Sequence, residues 1–300
     1  MSCYQFVDQQ RDAYPVRRLC RVLQVAPARY YAWRQQRTTA RPSPEPVAWE
    51  EALEKAFTRH QKRYGTRRLR VELREEGHRV GRQRLRTAMR ARGLQALQPR
   101  AFTPRTTDST HGLRCAPNHL LDQPAPTQPN QVWVSDITYL PLASGAWAYL
   151  CAFQDSFTRQ VLGWQVRATM PEDLVVSALR RALLARAPVP GLVVHSDRGG
   201  QYCGNAYRAL LAEHGCLRSQ SRRAECLDNA QAESLWSRLK TEELEAREWP
   251  VFRDLADAQH SVATYFDYYN HQRRHSALAY QTPQAFYLQQ LNNTPLNCPA

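Results

Sequence analysis

Three short β-type runs follow residue 130 in succession, and they restrict the fold of the C-terminal part of the chain. The runs QVWVSDITYL, AWAYLCAFQD and QVLGWQVRAT are rich in β-branched and aromatic residues and are separated by short turns. An amphipathic helix, PEDLVVSALRRALLARA, comes next, with Pro171 at its start and acidic residues in its first turn. The run GLVVHSD is typical of a buried strand, and helical patterns follow it. Strands in series, then strand alternating with helix, predict an α/β domain with a mixed sheet.

Charge divides the chain into two parts. The whole sequence has a net charge of +14, from 41 Lys+Arg against 27 Asp+Glu. Residues 1–114 hold 25 basic and 10 acidic side chains, whereas residues 115–300 hold 16 and 17. The whole excess therefore lies in the first third, which indicates that this part binds a polyanion while the rest does something else. An arginine-rich surface that is merely solvated is the alternative.

Two segments of the basic third are each predicted to form a pair of short helices around a tight turn. In residues 1–40, Val16, Leu19 and Leu23 recur at the spacing of one helix face, and a break containing proline follows. Residues 50–98 repeat the pattern of helix, glycine-containing turn and helix. Two such pairs in a strongly basic setting predict tandem helix-turn-helix units that bind DNA.

Arginines of the second unit are candidates for DNA contacts, because the second helix of such a pair enters the major groove while arginines hold phosphates. The candidates are Arg67, Arg68, Arg82 and Arg84. Residues 99–130 are rich in proline and are predicted to form an extended linker. The last domain is then expected to span residues 131–290.

Three acidic residues of this last domain come from three different predicted elements. Asp136 lies within the first strand, Asp197 ends the run LVVHSD, and Glu233 lies in the helical stretch DNAQAESLWSRLKTEEL. A lone carboxylate among apolar strand residues is costly to bury unless a cation or a partner meets it. Each of these acidic residues also has a simpler explanation that involves no catalysis. Asp136 could pair with an arginine, Asp197 could cap a turn, and Glu233 could be a solvated helix residue. Asp155, at the end of the second strand, competes for the same role.

Three convergent carboxylates suit phosphoryl transfer assisted by two divalent ions. Hard oxygen ligands favour Mg²⁺, and Mn²⁺ is able to substitute. His195 lies two residues before Asp197 and is interpreted as a core residue, with tuning of that carboxylate as the alternative.

Longer blocks of the sequence resemble a known family. Thirty-five residues separate Asp197 from Glu233, and the strings HSDRGGQY and DNAQAESLWSRLKTE resemble the catalytic blocks of DDE transposases and retroviral integrases. PNQVWVSDITYL is similar to the first catalytic strand of the IS-three family of bacterial insertion sequences. RYGTRRLRVELREEGHRVGRQRLRTAMRARGL resembles the helix-turn-helix segment of that family, and YFDYYNHQRRHSALAYQTPQAF resembles its C-terminal signature. These blocks cover nearly the whole chain, in the order of the family's second-frame product.

The resemblance implies a fold, a reaction and partners. The fold is an RNase H-like core, a mixed five-stranded sheet with flanking helices, in which Asp136, Asp197 and Glu233 are the catalytic residues and hold two Mg²⁺ ions. The reaction is hydrolysis at the ends of a DNA element, which exposes 3′-hydroxyls, followed by their attack on another phosphodiester. The implied partners are the terminal inverted repeats, target DNA, further copies of this chain on paired ends, and the upstream-frame product of the element.

Further residues are expected near the DNA. Lys240 lies two helical turns after the helical glutamate, so its ammonium is expected to hold a phosphate near the metal ions, with a solvent-exposed cation as the alternative. Asn229 is expected to contact DNA or to cap the helix, and Asp228 is the more natural N-cap. Arg273 and Arg274 are interpreted as a basic C-terminal element close to DNA.

Two other functions stay open from the sequence. A DNA-binding regulator that keeps the core as a scaffold binds without cutting, and an RNase H-like nuclease cuts without joining. The mean hydropathy is −0.63, and no run of about 18 apolar residues indicates a membrane span. The N-terminus has no apolar leader, and the 8 cysteines include no C-x-x-C pair, which predicts a cytoplasmic protein. The resemblance implies that this protein is bacterial and associated with the nucleoid.

Overall fold

A computed structural model describes the chain over five stretches, residues 2–38, 48–98, 115–121, 123–222 and 226–293. The first half of the predicted linker, residues 99–114, lies outside these stretches. The end of the predicted linker is fixed to the sheet, because Ala116 N donates to Gln220 Oε1 at 2.7 Å and His119 N donates to Ser219 Oγ at 2.9 Å. This part of the chain is therefore not a free spacer.

The first helical unit contains three helices around a small core. They are Cys3–Gln10 (α1), Val16–Val22 (α2) and Pro27–Thr38 (α3). The helix pair predicted for this region corresponds to α2 and α3. Val7 of α1 packs with Cys20 and Tyr30 in the core. α1 begins with a capping box, in which Ser2 and Gln5 satisfy each other's main-chain N–H groups.

The second helical unit also contains three helices, Ala48–Arg59 (α4), Thr66–Glu75 (α5) and Arg82–Ala91 (α6). Leu69 and Leu73 of α5 and Leu85 and Met89 of α6 recur four residues apart and are buried together. Gly77 lies in the turn between the two helices with φ of +89°, a left-handed conformation that glycine adopts without steric cost. The predicted helix pair of this region corresponds to α5 and α6.

A mixed five-stranded sheet forms the centre of the C-terminal domain. Its strands are Val132–Pro141 (β1), Trp147–Asp155 (β2), Val161–Arg167 (β3), Val193–Ser196 (β4) and Leu217–Gln220 (β5). Their order is β3-β2-β1-β4-β5. β1, β2 and β3 pair antiparallel, whereas β4 and β5 run parallel to β1. The predicted mixed sheet and the predicted series of three strands are confirmed.

Helices cover both faces of this sheet. Glu172–Arg186 (α7) connects β3 to β4, and Asn205–Glu213 (α8) connects β4 to β5. α7 approaches β3 closely at Gly163, where an added Cβ would lie 2.4 Å from Ala178 O. Any larger residue at Gly163 would therefore push the helix away from the strand.

The opposite face is covered by Ala230–Leu239 (α9) and Leu255–His271 (α10), and a π-helical turn, Lys240–Leu244, extends α9. The last helix, Pro283–Asn293 (α11), contacts α10. One apolar core joins α9 and α10 to the sheet and also to α4, α5 and α6 of the second helical unit. The second helical unit is thus packed into the C-terminal domain. No helix in the described stretches is long and apolar enough to span a membrane.

Candidate active site

The pairing of β1 with β4 brings Asp136 and Asp197 together. The parallel register aligns Val134 of β1 with His195 of β4. The same register, continued by two residues, places Asp136 beside Asp197, which directly follows β4. Because side chains two residues apart in a strand share a face, both carboxylates lie on one side of the sheet.

The Asp136 carboxylate lies in an unusual electrostatic environment. It is half-buried, and its Oδ2 accepts a hydrogen bond from Trp236 Nε1 at 3.0 Å. Burial raises the pKa of Asp136 well above its ordinary value, and the negative charges of Asp197 and Glu233 raise it further. Hydrogen bonds from Ile137 N and from Trp236 oppose this rise in the pKa. The charges of Asp197 and Glu233 therefore both act on the Asp136 carboxylate.

α9 carries Glu233 to this position. Asn229 Nδ2 donates to Ser135 O at 3.2 Å, which ties the start of α9 to β1 next to Asp136. Glu233 lies three residues before Trp236 and hence on the same face of the helix. Since Trp236 contacts Asp136, the exposed Glu233 side chain lies on the same side of the domain as the strand carboxylates.

Asn229 and Asp228 differ from their predicted roles. Asn229 is the N-cap residue of α9 but makes no side-chain capping hydrogen bond, and it is buried. The predicted cap at Asp228 is wrong, because its carboxylate accepts hydrogen bonds from Arg222 and Asn118 instead. A buried Asn229 that is bonded to β1 serves to place α9, and its burial argues against a direct DNA contact.

Asp197 lies in a tight turn at the end of β4. Its Oδ1 accepts a hydrogen bond from Gly199 N at 3.0 Å, so the residue does cap the turn as the simpler explanation expected. Its main-chain O accepts from Gln220 Nε2 at 3.0 Å. These bonds fix the position of the residue, and its charge still reaches Asp136.

Lys240 is the first residue of the π-helical turn and is half-buried. Burial lowers the pKa of its ammonium group, and the negative charge of Asp136 opposes this change. The ammonium therefore lies within electrostatic reach of the strand carboxylate, and its contact with a DNA phosphate stays a prediction.

The competing candidate, Asp155, has a structural role. It is fully buried, and its carboxylate accepts hydrogen bonds from Asn130 N, Phe157 N and both the N and Oγ1 of Thr158, at 2.7 to 3.0 Å. These donors belong to the turn after β2 and to the segment before β1. Because its oxygens are used by these donors, Asp155 stabilises the turn and does not face the other acids.

His195 is a core residue, as interpreted from the sequence. Its ring nitrogens lie 2.9 Å from Ser219 Oγ and 3.2 Å from Ser221 Oγ. Burial lowers the pKa of His195 to about 4. The imidazole therefore stays neutral at neutral pH and ties β4 to β5.

Asp136, Asp197 and Glu233 offer carboxylate oxygens, and such donors suit a hard divalent ion. Within the described stretches, no three His, Cys, Asp or Glu side chains are close enough to form a complete metal site. The mutual effect of Asp136, Asp197 and Glu233 on charge is nevertheless what a cation would relieve. The donor set therefore fits Mg²⁺ or Mn²⁺.

The C-terminal arginines do not form the predicted surface. Arg273 is 2% exposed and makes a two-pronged ion pair with Glu242, at 2.5 to 3.1 Å. Its predicted contact with DNA is contradicted by this burial. Arg274 forms ion pairs with Glu72 and Glu75 of α5. Both arginines thus make contacts inside the molecule.

The predicted arginines of the second helical unit divide into two groups. Arg67, Arg82 and Arg84 are exposed, whereas Arg68 points inward, with its Cζ 5.3 Å from the centre of the Tyr64 ring. Other arginines of these two helices are also exposed, although they were not predicted from the sequence. They recur at the helical spacing of three and four residues, and this spacing is visible in the sequence. Two exposed stripes result, Arg67, Arg70 and Arg74 on α5, and Arg82, Arg86 and Arg90 on α6.

Comparison with protein families gives the class of protein. Residues 126–226 and 214–283 match models of the integrase core domain, and residues 48–102 match a model of an HTH-like domain. The chain is thus an enzyme of the polynucleotidyl transferase type with an HTH-like DNA-binding domain.

Two relatives identify the family to which the chain belongs within this class. The chain is 40% identical over 270 residues to the uncharacterized 31 kDa protein of insertion element IS600 from Shigella sonnei, covering 89% of this chain and 97% of the relative. It is 35% identical over 288 residues to the transposase InsF for insertion sequence IS3A from Escherichia coli K12, covering 94% and 97%. The chain therefore belongs to the IS3 family of insertion-sequence transposases.

Two solved viral structures are among those to which the chain shows a limited similarity. One is the simian T-cell lymphotropic virus intasome, with a TM-score of 0.46 and 14% identity, covering 82% of this chain and 76% of that chain. Another is the catalytic core domain of HTLV-2 integrase in complex with magnesium, with a TM-score of 0.42 and 14% identity, covering 54% and 98%.

Proposed function

We propose that this transposase cleaves DNA at the ends of its insertion sequence and joins the exposed 3′-hydroxyls to target DNA. Asp136, Asp197 and Glu233 form its metal-binding catalytic site. One observation carries the proposal: the register of β1 and β4 places Asp136 beside Asp197, and Trp236 of α9, three residues after Glu233, donates to Asp136. Carboxylates that converge from three elements suit cations and a phosphate.

The donor atoms indicate which ions the site binds. Carboxylate oxygens favour Mg²⁺, with Mn²⁺ as a substitute, and we propose two ions. When bound, the ions supply activation of the attacking oxygen and neutralise charge on the leaving 3′ oxygen. Asp136 and Asp197 hold them from the sheet, and Glu233 holds them from α9.

Two neighbouring residues support the three carboxylates. Trp236 donates its indole N–H to Asp136 and so fixes the orientation of that carboxylate. Lys240 binds a DNA phosphate beside the ions, which places the scissile bond. Both follow Glu233 on α9 and its extension, so a single helix organises half of the site.

The exposed arginines hold the DNA. We propose that α6 enters the major groove, with Arg82 and Arg84 close to the DNA, and that Arg67 on α5 binds the backbone. The stripes of α5 and α6 form no ion pair within the part of the chain that the structure describes, so their charges are available to phosphates. The first helical unit, with its α2 and α3 pair, makes a second contact on the same DNA.

The reaction requires an assembly. Because two element ends must be joined to one target, we propose that copies of this chain act together on the paired terminal repeats. The upstream-frame product of the element is a further proposed partner. Since the substrate is chromosomal DNA, we expect the enzyme to act at the bacterial nucleoid.

The test uses a labelled duplex that carries the terminal repeat of the element. With Mg²⁺ or Mn²⁺, the chain is expected to nick the duplex, leave a 3′-hydroxyl and join that end to a second DNA. Asp197→Asn is expected to abolish both steps while DNA binding is retained, and Asp267→Asn, at an exposed acid of α10, serves as the matched control. Binding by the intact chain without any metal-dependent cleavage would sink the proposal and favour a regulator.

A further inference from the structure

α9 does not end as a regular α-helix. Residues Lys240–Leu244 form a π-helical turn, in which Glu245 N donates to Lys240 O at 2.9 Å. This hydrogen bond reaches one residue further back than the bonds of an α-helix. Such turns are rare, are costly to form, and are frequent at functional sites. Something in the surrounding structure must therefore hold this turn in place.

The carboxylate of Glu242 holds the turn from one side. Glu242 is 6% exposed, and its two oxygens accept hydrogen bonds from Arg273 Nε at 2.8 Å and Arg273 Nη2 at 2.5 Å. Tyr265 Oη donates to the same carboxylate at 3.1 Å. Tyr265 belongs to α10, and Arg273 belongs to the segment after it. A two-pronged, buried pair of this kind has a fixed geometry, because the guanidinium is planar.

The second helical unit holds the turn from another side. Arg63 Nε donates to the main-chain O of Glu242 at 3.3 Å, and the same guanidinium pairs with Glu243. Arg63 is 8% exposed, and its Cζ lies 4.4 Å from the centre of the Tyr268 ring. The HTH-like domain thus contacts the π-helical turn through Arg63, which binds Glu242 and Glu243.

Lys240 begins the turn and lies two residues before Glu242. Residues two apart in a helix do not share a face, so Lys240 is directed away from the buried pair. Its ammonium is within electrostatic reach of Asp136. A change in the turn therefore moves Lys240 relative to the strand carboxylates, while Glu233, farther back in the regular part of α9, stays in place.

We infer that Glu242 is a positioning residue, whose buried pair with Arg273 and contact with Arg63 set the π-helical turn and with it the position of Lys240 over the scissile phosphate. The inference rests on the proposed function and adds a link between the HTH-like domain and the reacting phosphate. Through Arg63, any shift of that domain on the DNA is transmitted to Lys240.

The test is a double-mutant cycle on the rate of strand cleavage. Full-length wild type, Lys240→Ala, Glu242→Gln and the double variant are compared on the labelled duplex with Mg²⁺ under single-turnover conditions. Glu242→Gln is expected to slow cleavage by about 10–100-fold, the size typical of a small displacement of a reacting group. The double variant is expected to be no slower than Lys240→Ala, because Glu242 acts through Lys240.

A merely structural role for Glu242 gives a different result. In that case the two losses multiply in the double variant, which would overturn the inference, as would an unchanged rate in Glu242→Gln or in Lys240→Ala. Glu248→Gln, at an exposed acid beyond the turn, is the matched control and is expected to cleave at the wild-type rate. Duplex affinity is expected to change little in Glu242→Gln.

Glu242→Gln leaves the buried Arg273 without its charge partner, and this loss is able to prevent folding. A second variant therefore tests the same inference without breaking the ion pair. Tyr265→Phe removes one hydrogen bond to Glu242 and keeps the ion pair. It is expected to slow cleavage a few-fold in the wild-type background and not at all in the Lys240→Ala background. An equal loss in both backgrounds would contradict the inference.

The outcome separates the inference from the proposed function. Wild-type cleavage that is lost in Asp197→Asn upholds the proposed function whatever the cycle gives. Losses that multiply then overturn only the role of Glu242. If the wild type does not cleave at all, the proposed function and the inference fall together.

Discussion

At the scale of single residues, Asp136 is the centre of the site. It receives a hydrogen bond from Trp236 and the repulsion of two further carboxylates, so its pKa depends on residues from the turn after β4 and from α9. A bound cation would relieve this repulsion, and a hydrogen bond from a neighbouring group fixes the orientation of a carboxylate that holds a metal ion. The indole of Trp236 supplies that orientation.

Trp236→Phe tests this role, because it keeps a buried aromatic ring and removes the N–H donor. We expect either the Mg²⁺ concentration for half-maximal cleavage to rise or the cleavage rate to fall. The expected change is about 10–100-fold, which is the range found when a hydrogen-bond partner of a metal ligand is removed. A titration of cleavage against Mg²⁺ measures this change. Trp164→Phe, on β3 against α10, is the control, and equal metal dependence in both variants would contradict the role.

The three acidic residues could be named from the sequence because their motifs are distinctive, but the roles of other residues could not. Asp155 ends a strand as Asp197 does, and only the donors around its carboxylate tell the two apart. The bond between Trp236 and Asp136 was not predicted, because it joins positions 100 residues apart. Arg273 was expected at the surface because local sequence does not show which charges find a buried partner.

At the scale of secondary-structure elements, the two arginine stripes of the HTH-like domain define its expected DNA surface. Each stripe follows one helix face and is exposed, whereas Arg92 at the end of α6 is bound to Glu50 and Glu54. The exposed arginines and the paired arginine are therefore expected to behave differently when their charge is removed.

The triple variant Arg82→Gln, Arg86→Gln and Arg90→Gln tests the α6 stripe. We expect weaker binding to the terminal repeat and a shallower dependence of affinity on salt, by about 0.9 in the logarithmic slope for each phosphate that the variant no longer neutralises. Titrations at several salt concentrations measure the slope. Arg92→Gln is expected to keep the wild-type slope, and the same slope in the triple variant would rule out this surface.

Most elements could be predicted from periodicity, and the exceptions have physical causes. β1 to β4 follow alternation or short apolar runs, and α2, α3, α5 and α6 follow apolar spacing. β5 was missed because its residues, LRSQ, form no apolar run and its buried side chains, Ser219 and Gln220, are polar. α1 was missed because only one of its residues, Val7, is buried, which leaves little apolar pattern. The π-helical turn was missed because tertiary contacts of Glu242 hold it, and these contacts have no local signature.

At the scale of the whole molecule, the HTH-like domain and the catalytic core share one apolar core and a network of ion pairs. Glu72 of α5 lies at the centre of this network, with Arg59, His60 and Arg274 around it. The sequence indicated two separate units because charge and composition change between them. It could not show the contact between them, since the pairing of Glu72 with Arg274 spans 202 residues.

The Glu72 network predicts how stability depends on pH. Burial alone would raise the pKa of Glu72, but the hydrogen bonds and charges of His60 and Arg274 outweigh it and lower the pKa from 4.5 to about 2. Because the pKa is lower in the folded state, ionised Glu72 stabilises the protein above about pH 4.5, and this stabilisation is lost as the pH falls towards 2.

Thermal unfolding of wild type and Glu72→Gln measures this contribution. The midpoint temperature of the variant is expected to be lower at about pH 6 and to approach that of the wild type at about pH 3. Glu51→Gln, at an exposed acid of α4, is expected to match the wild type at both values. A difference between Glu72→Gln and wild type that grows on acidification would contradict the proposed network.

The central claim is that Asp136, Asp197 and Glu233 work as one site, and cleavage by the single and triple variants tests it most directly. Residues that act as a unit lose the same activity whether one or all are replaced. We predict that Asp136→Asn, Asp197→Asn, Glu233→Gln and the triple variant all bind the terminal repeat normally and all reduce Mg²⁺-dependent cleavage to the same residual rate. Wild-type cleavage by any one of the three single variants would contradict the claim.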